Sequence, residues 1–349
     1  MKMPERFTTL ITVGGSVATM LALVLITAAG CGTPGAHTQP GAFSYASRAD
    51  ANRDQGDWEG AIADYTKAIE LRPNYFIAYS NRGLAKRAKG DFDGAIADYT
   101  KAIEIKTDDS FDYMNRGEAR RAKRDFDGAI EDATKAIQIS PNFTRAYLNR
   151  GHAKENKGDF EGAIADYTKA IVLKPDHEDA YWNRGNAKAY KADLDGAIAD
   201  YTKAIELKSD DEQAYYNRGV AKALKGGLDG AIADYTEAIQ LRSQYPEAYK
   251  NRGIAKALKR DFDGAIADYT KAIELDPRYP EAYKNRGIAK ENKGDLDGAI
   301  ADYTRAIELK PDDAEAYRDR GNAKNAKGDS DGANADRAKA IQLKAGSSR

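Results

Sequence analysis

The chain has 349 residues, with 54 Lys plus Arg against 55 Asp plus Glu, so its net charge of -1 carries no bias toward nucleic acid or an anionic membrane surface. A hydrophobic fraction of 42% beside 31% charged residues excludes both a wholly disordered polar chain and a polytopic membrane protein. A single cysteine excludes an internal disulfide framework and any multi-cysteine metal site.

In chain order, residues 1–30 read as a targeting segment. Lys2 and Arg6 give a positive start, no charge occurs from Thr8 to Ile26, and the small residues Thr27, Ala28, Ala29 and Gly30 precede Cys31. This arrangement is similar to the bacterial lipoprotein signal, with Ala28 standing where leucine is usual. The resemblance implies cleavage before Cys31, lipid attachment to it and an extracytoplasmic body anchored to a bacterial membrane. Residues 31–41, rich in Gly and Pro, then form a flexible tether. Two alternatives stay open: the apolar stretch spans a bilayer as an uncleaved anchor, or a signal peptidase cuts near Ala29 and releases the protein.

From Ala42 onward a 34-residue period takes over. Asn-Arg-Gly recurs with its glycine at Gly83, Gly117, Gly151, Gly185, Gly219, Gly253 and Gly287, and Asp-Arg-Gly at Gly321 continues the series. With that glycine at position 8, nine units fill residues 42–347 and leave 348–349 as a tail; they begin at Ala42, Phe76, Ser110, Thr144, Glu178, Glu212, Pro246, Pro280 and Ala314. The first half of each unit places Tyr at 4, a small residue at 8 and Ala at 10 on one helical face. The second half places Ala at 20 and 27 throughout, with Ile at 21 and 28 and Tyr at 24 in most units. Between them, Gly at 15 suits a helix C-terminus and Asp at 16 an N-cap. Pro at position 32 in five units, for example Pro73 and Pro141, stops the second helix.

Helix pairs of this period resemble the tetratricopeptide repeat. The second unit carries the match at Tyr79, Gly83, Ala95, Tyr99 and Ala102, with Thr107 in place of the usual proline. The resemblance implies an all-α, right-handed α-solenoid of nine antiparallel helix pairs. Two departures stand out: position 7 is Arg in all nine units where the family has Leu, and position 11 is Lys or Arg in eight where it has Tyr.

Positions 7, 11 and 14 hold 25 basic residues, and positions 16, 18 and 23 hold 26 acids. In an antiparallel pair, position 7 lies near position 23. The spacing therefore predicts a repeated ion-pair ladder, Arg82 with Asp98 for instance, against the alternative of a merely solvated charged face. Glycine at position 19 in all nine units has no explanation in the sequence beyond a close approach of helices near the turn. The last unit carries Ser330, Asn334 and Arg337 where earlier units are mostly apolar, as a terminal capping repeat should.

No reactive constellation escapes the repeat. His37, His152 and His177 read as ordinary surface histidines, and Asp91-Phe92-Asp93-Gly94 as a helix cap, not a calcium loop. An enzyme, a cofactor, a metal and a nucleic-acid partner are accordingly not expected. Binding is expected instead. The resemblance implies a concave groove lined by positions 2, 5, 9, 12 and 13, which diverge among the units. Phe111, Met114, Leu148, Trp182, Tyr190, Tyr216, Val220 and Leu224 would make its middle apolar, and Lys250, Lys284 and Arg318 its C-terminal end basic. Ile254 and Ile288, one turn after Lys250 and Lys284, disfavour the family's clamp for C-terminal carboxylates. The expected function is a tethered scaffold that presents this groove to a peptide or partner helix in the bacterial envelope, its apolar anchors against Trp182 and Tyr216. The alternative is a binder of cell-wall glycan, with Trp182, Tyr190 and Tyr216 as a sugar platform.

Overall fold

A computed structural model of the chain describes residues 40–346. The signal segment, Cys31, His37 and the 348–349 tail lie outside the described residues. Within them the sequence periods become helices at constant repeat positions. The first unit gives α1 (Ala42–Asp54) and α2 (Trp58–Leu71), and the last gives α17 (Ala314–Ala326) and α18 (Ser330–Gly346). Eighteen helices and no strand are present among the described residues, packed as nine consecutive pairs in an all-α solenoid.

The turn inside each pair follows from two residues. Position 15 adopts a left-handed conformation, with φ of +79° at Gly56 and +81° at Gly90, which a glycine adopts without strain. Arg124, Ala192 and Arg260 hold the same conformation without that freedom. One residue later, the Asp carboxylate accepts the backbone N–H of position 19, at 2.9 Å from Gly94 to Asp91. This contact explains the invariant glycine. A Cβ on Gly94 would lie 2.8 Å from Cγ of that same carboxylate and 2.9 Å from Cδ of Lys86. Where Gly227 replaces the capping Asp, a Cβ on Gly230 meets only the Lys222 side chain, at 3.2 Å or more.

The core is built from small residues and one large ring. Alanines at positions 10, 20 and 27 are buried in most units, for example Ala85, Ala95 and Ala102. Tyr at 24 is sealed against the glycine at 8: a Cβ on Gly83 would come within 2.8 Å of the Tyr99 ring. Most consecutive first helices touch each other, as α1 does α3 (Phe76–Ala88), whereas consecutive second helices form no comparable contact among the described residues. The first helices therefore line the inner, tighter face.

The predicted ladder is present in all nine units, from Arg48 with Asp64 to Arg320 with Asp336, at 2.6 to 2.8 Å in units two to nine. It is denser than the spacing predicted. The same aspartate also receives the cation at position 11, at 2.8 to 3.0 Å in units two to nine. The arginine additionally donates to Thr at position 25 of the preceding unit, at 3.0 to 3.2 Å. Its guanidinium also lies over the Tyr ring at position 4. Lysine at 14 forms a separate, exposed set by crossing to the acid at 18 of the preceding unit, as Lys191 does to Glu161. The polar substitutions of the last unit, Asn334 and Arg337, are exposed on the terminal helix.

These two sets should differ sharply in weight. Asp200 is 5% exposed and shared by Arg184 and Lys188, whereas Glu161 is 79% exposed. Asp200→Ala is expected to destabilise the fifth unit by about 3 kcal/mol, because it strands two cations. Glu161→Ala should cost no more than about 0.5 kcal/mol. Hydrogen exchange of the amides in α9 (Glu178–Tyr190) and α10 (Leu194–Leu207) checks this. Equal protection in the two variants would contradict the ladder's structural role.

Candidate functional site

The face lined by first helices holds an apolar cavity of about 480 Å³ between α9 and α11 (Glu212–Leu224), walled by Trp182, Tyr190, Leu194, Val220 and Leu224. Tyr190 is 72% and Leu224 70% exposed, so the rim is open to a partner. Trp182 is half-buried, and its indole N–H is sealed from solvent without an acceptor. Tyr190 stacks on Phe160, with ring centres 4.9 Å apart.

A second cavity of about 440 Å³ repeats this arrangement two units further on, between α13 (Pro246–Leu258) and α15 (Pro280–Asn292). Ile254, Leu258, Phe262 and Ile288 wall it from repeat positions 9, 13, 17 and the next 9. Tyr190, Leu224 and Leu258 occupy position 13 in three successive units and are all exposed. The apolar surface thus runs through units five to eight.

A third cavity, of about 430 Å³, adjoins the first through Tyr190 and Glu155 and is polar, with Arg121 and His152 in its wall. Around it the first helices of units two to four are rich in charge. Arg87 and Arg145 both pair with Glu118, which also accepts from Asn149 at 2.9 Å. Burial lowers both of these arginines. Glu155 accepts the Tyr167 hydroxyl at 2.6 Å and is raised by burial. His152 is not an ordinary surface histidine: burial, reinforced by the Arg121 charge, lowers it to about 4.

Several expected groove residues stand elsewhere. Trp182, Tyr190, Val220 and Leu224 do come together, but Met114 and Leu148 are buried at 1% and 7% exposure. The cause lies on another helix. Ala133 occupies position 24 of the third unit, where most units have Tyr, and α5 (Ser110–Ala122) and α7 (Thr144–Asn156) make more extensive contact than any other pair of consecutive first helices. Met114 then packs with Ala136 and Ala146, and Leu148 with Tyr167 and Ala180. Phe111 is exposed, but sits at an inter-unit turn against Phe143, with ring centres 4.8 Å apart. Tyr216 turns toward Tyr245 and accepts from Asn251 at 2.9 Å, and so does not share the cavity wall of Trp182 and Tyr190.

The basic residues of the C-terminal end are engaged by neighbours. Lys284 pairs with Asp313 at 3.2 Å and Glu315 at 3.0 Å, Arg318 pairs with Asp319 at 2.9 Å, and Lys250 lies over the Tyr279 ring. Sequence reasoning missed Leu258, Ile254 and Ile288 as groove residues, although the run of apolar residues at position 13 was visible. It also missed Arg121, whose distinction is only the lack of a partner.

Profiles of the tetratricopeptide repeat match residues 76–109 and 113–143, and a TPR repeat profile matches 49–86, 155–191, 185–226, 221–259, 258–294 and 292–328. The chain belongs to the tetratricopeptide repeat proteins. Among solved structures it is similar to the MamA protein, at 30% identity over 48% of this chain and 92% of that one, TM-score 0.46. The C-terminal part of a TPR repeat-containing protein from Cytophaga hutchinsonii matches at 22% identity over 68% of this chain and 98% of its own, TM-score 0.59. YrrB, described as a TPR protein with an unusual peptide-binding site, matches at 23% identity over 53% and 95%, TM-score 0.48. No curated protein sequence matches significantly. TPR proteins are generally non-enzymatic scaffolds for protein partners, and no catalytic family is indicated. No described helix is long and apolar enough to cross a membrane.

The His152 environment has a pH signature. Its folded value of about 4 lies below the ordinary 6.5, so the unfolded chain binds the extra proton between these values. The stabilisation is complete above about pH 6.5 and is lost as pH falls toward 4. Asp112, buried and raised to about 6, acts in the opposite direction over much of that window. Comparing wild type with His152→Gln cancels the Asp112 contribution. Their stability difference should move in favour of wild type from pH 4 to 6.5 and stay flat above; a flat difference throughout would rule out a buried neutral imidazole.

Proposed function

We propose that the chain is a protein-binding scaffold whose partner lays an apolar segment, a peptide or the face of a helix, along units five to eight. The observation that carries this reading is the exposed row Tyr190, Leu224 and Leu258 beside two cavities of the same construction. Beside the paired charges of the ladder, an open apolar row of this length favours a binding surface. Trp182, half-buried, and Tyr190, exposed and stacked on Phe160, are of the residue types that most often dominate interface energies. The glycan reading is weaker, because its third ring, Tyr216, is engaged elsewhere.

A photo-crosslinking residue tests the groove in living cells. Placed at position 224 or 258 it should trap the same partner, and placed at Val172, which is 65% exposed on a second helix, it should not. Leu224→Glu with Leu258→Glu should abolish the adduct while leaving helicity unchanged, since both side chains are largely exposed. Identical adducts from all three sites would refute a groove-specific partner.

We further propose that the scaffold is tethered outside the cytoplasm through a lipid on Cys31. Support for this comes from the sequence alone: a positive start, an uncharged stretch and small residues before the chain's single cysteine. Cys31→Ser should eliminate fatty-acid labelling and move the protein out of the membrane fraction. Unaltered labelling and fractionation would leave only the uncleaved-anchor or secreted alternatives.

A further inference from the structure

The cation at Arg121 stands apart from the charged lattice around it. Basic residues at positions 7, 11 and 14 have carboxylate partners in unit after unit, and at position 12 Arg53 pairs with Asp50 and Arg87 with Glu118. Arg121, also at position 12, makes no hydrogen bond or ion pair among the described residues, and its Nε is sealed from solvent. The neighbouring acids are already committed. Glu118 serves Arg87 and Arg145, while Glu155 accepts from Tyr167. Arg87 and Arg145 thus share Glu118, and the unpaired Arg121 lines a cavity that adjoins the apolar well of Trp182 through Glu155 and Tyr190.

A partly buried cation without a counter-charge is an unfavourable arrangement that a ligand carboxylate would relieve. The site does not suit a polyanion, because Glu118 and Glu155 stand beside it and the excess is a single charge. We infer that the partner carries an Asp or Glu side chain that pairs with the Arg121 guanidinium, at a fixed spacing from an apolar residue seated against Trp182 and Tyr190. This rests on the groove reading above and adds the partner's chemistry: an apolar anchor followed or preceded by one acid.

The probe is a library of random 12-residue peptides displayed on phage as internal segments, so that no terminal carboxylate is offered, and selected on the full chain. Enriched peptides should combine apolar residues with one acid at constant spacing. For such a peptide made synthetically, Glu→Gln in the peptide should weaken binding about tenfold on wild type and have no effect on Arg121→Gln. Arg121→Lys should restore part of the difference, and amidation of the peptide's C-terminus should change nothing. Helicity of both variants should match wild type, because Arg121 makes no hydrogen bond whose loss would disturb the fold. Enriched peptides that are apolar without an acid, a Glu→Gln loss that persists in Arg121→Gln, or a loss on amidation would overturn the Arg121 assignment and leave the groove intact. Failure to enrich any peptide would overturn the groove reading, and this inference with it.

Discussion

Every unit of this solenoid is held in register by one aspartate. In units two to nine the aspartate at position 23 accepts two cations from the facing helix, and the arginine among them reaches back to a threonine of the preceding unit, so one cluster fixes both the pair and the stack. Asp98 shows the logic: Arg82 and Lys86 hold α3 against the second helix of its own unit, while Arg82 also binds Thr66 of the unit before. A buried ion pair adds little net stability over an apolar pair of the same volume, because desolvation offsets the attraction. Its effect here is on specificity. A slipped helix pair would bury a carboxylate without its two cations, so displaced registers are penalised far more than the native one is favoured.

This division of labour frees the core to be thin. Alanine at 10, 20 and 27 lets helices approach closely, and the large apolar side chains buried in most units are few: the tyrosine on the glycine at 8 and the isoleucine at 28. The consequence is visible where that ring is missing. With Ala133 in its place the first helices of units three and four close up, and Met114 of unit three packs into the core. Nothing in α5 or α7 taken alone announces this; a deletion on the second helix remodels the inner face of the first.

The fold was legible because its determinants recur. A period of 34, small residues at fixed places and capping aspartates define the helices, and the Arg82 to Asp98 pairing follows from antiparallel geometry. What escaped depends on geometry that no spacing encodes. The glycine at 19 answers to the rotamer of the capping carboxylate three residues earlier and to the lysine stem above it. The apparent basic end at Lys284 disappears because Asp313, the last residue of its own unit, and Glu315 of the next are brought to it only through stacking. Side-chain identity at the groove positions was readable, but exposure was not: Met114 and Leu224 sit at variable positions of similar character, and one is sealed while the other is open.

A stack of identical units would present the same surface at every step and could not define where a partner begins. Here the departures from the repeat supply that polarity. Units two to four line the inner face with committed acids and one uncommitted arginine, and units five to eight line it with Tyr190, Val220, Leu224, Ile254, Leu258 and Ile288. The two apolar cavities use the same repeat positions but differ in content, since the first holds an indole N–H without an acceptor and the second has Ile254, Leu258 and Ile288 beside Phe262, Tyr269 and Arg260. On the reading proposed above, a partner would meet a partly sealed, unpaired guanidinium only beside the Trp182 cavity, with the ion-pair ladder holding Arg121 and the apolar row at fixed separation.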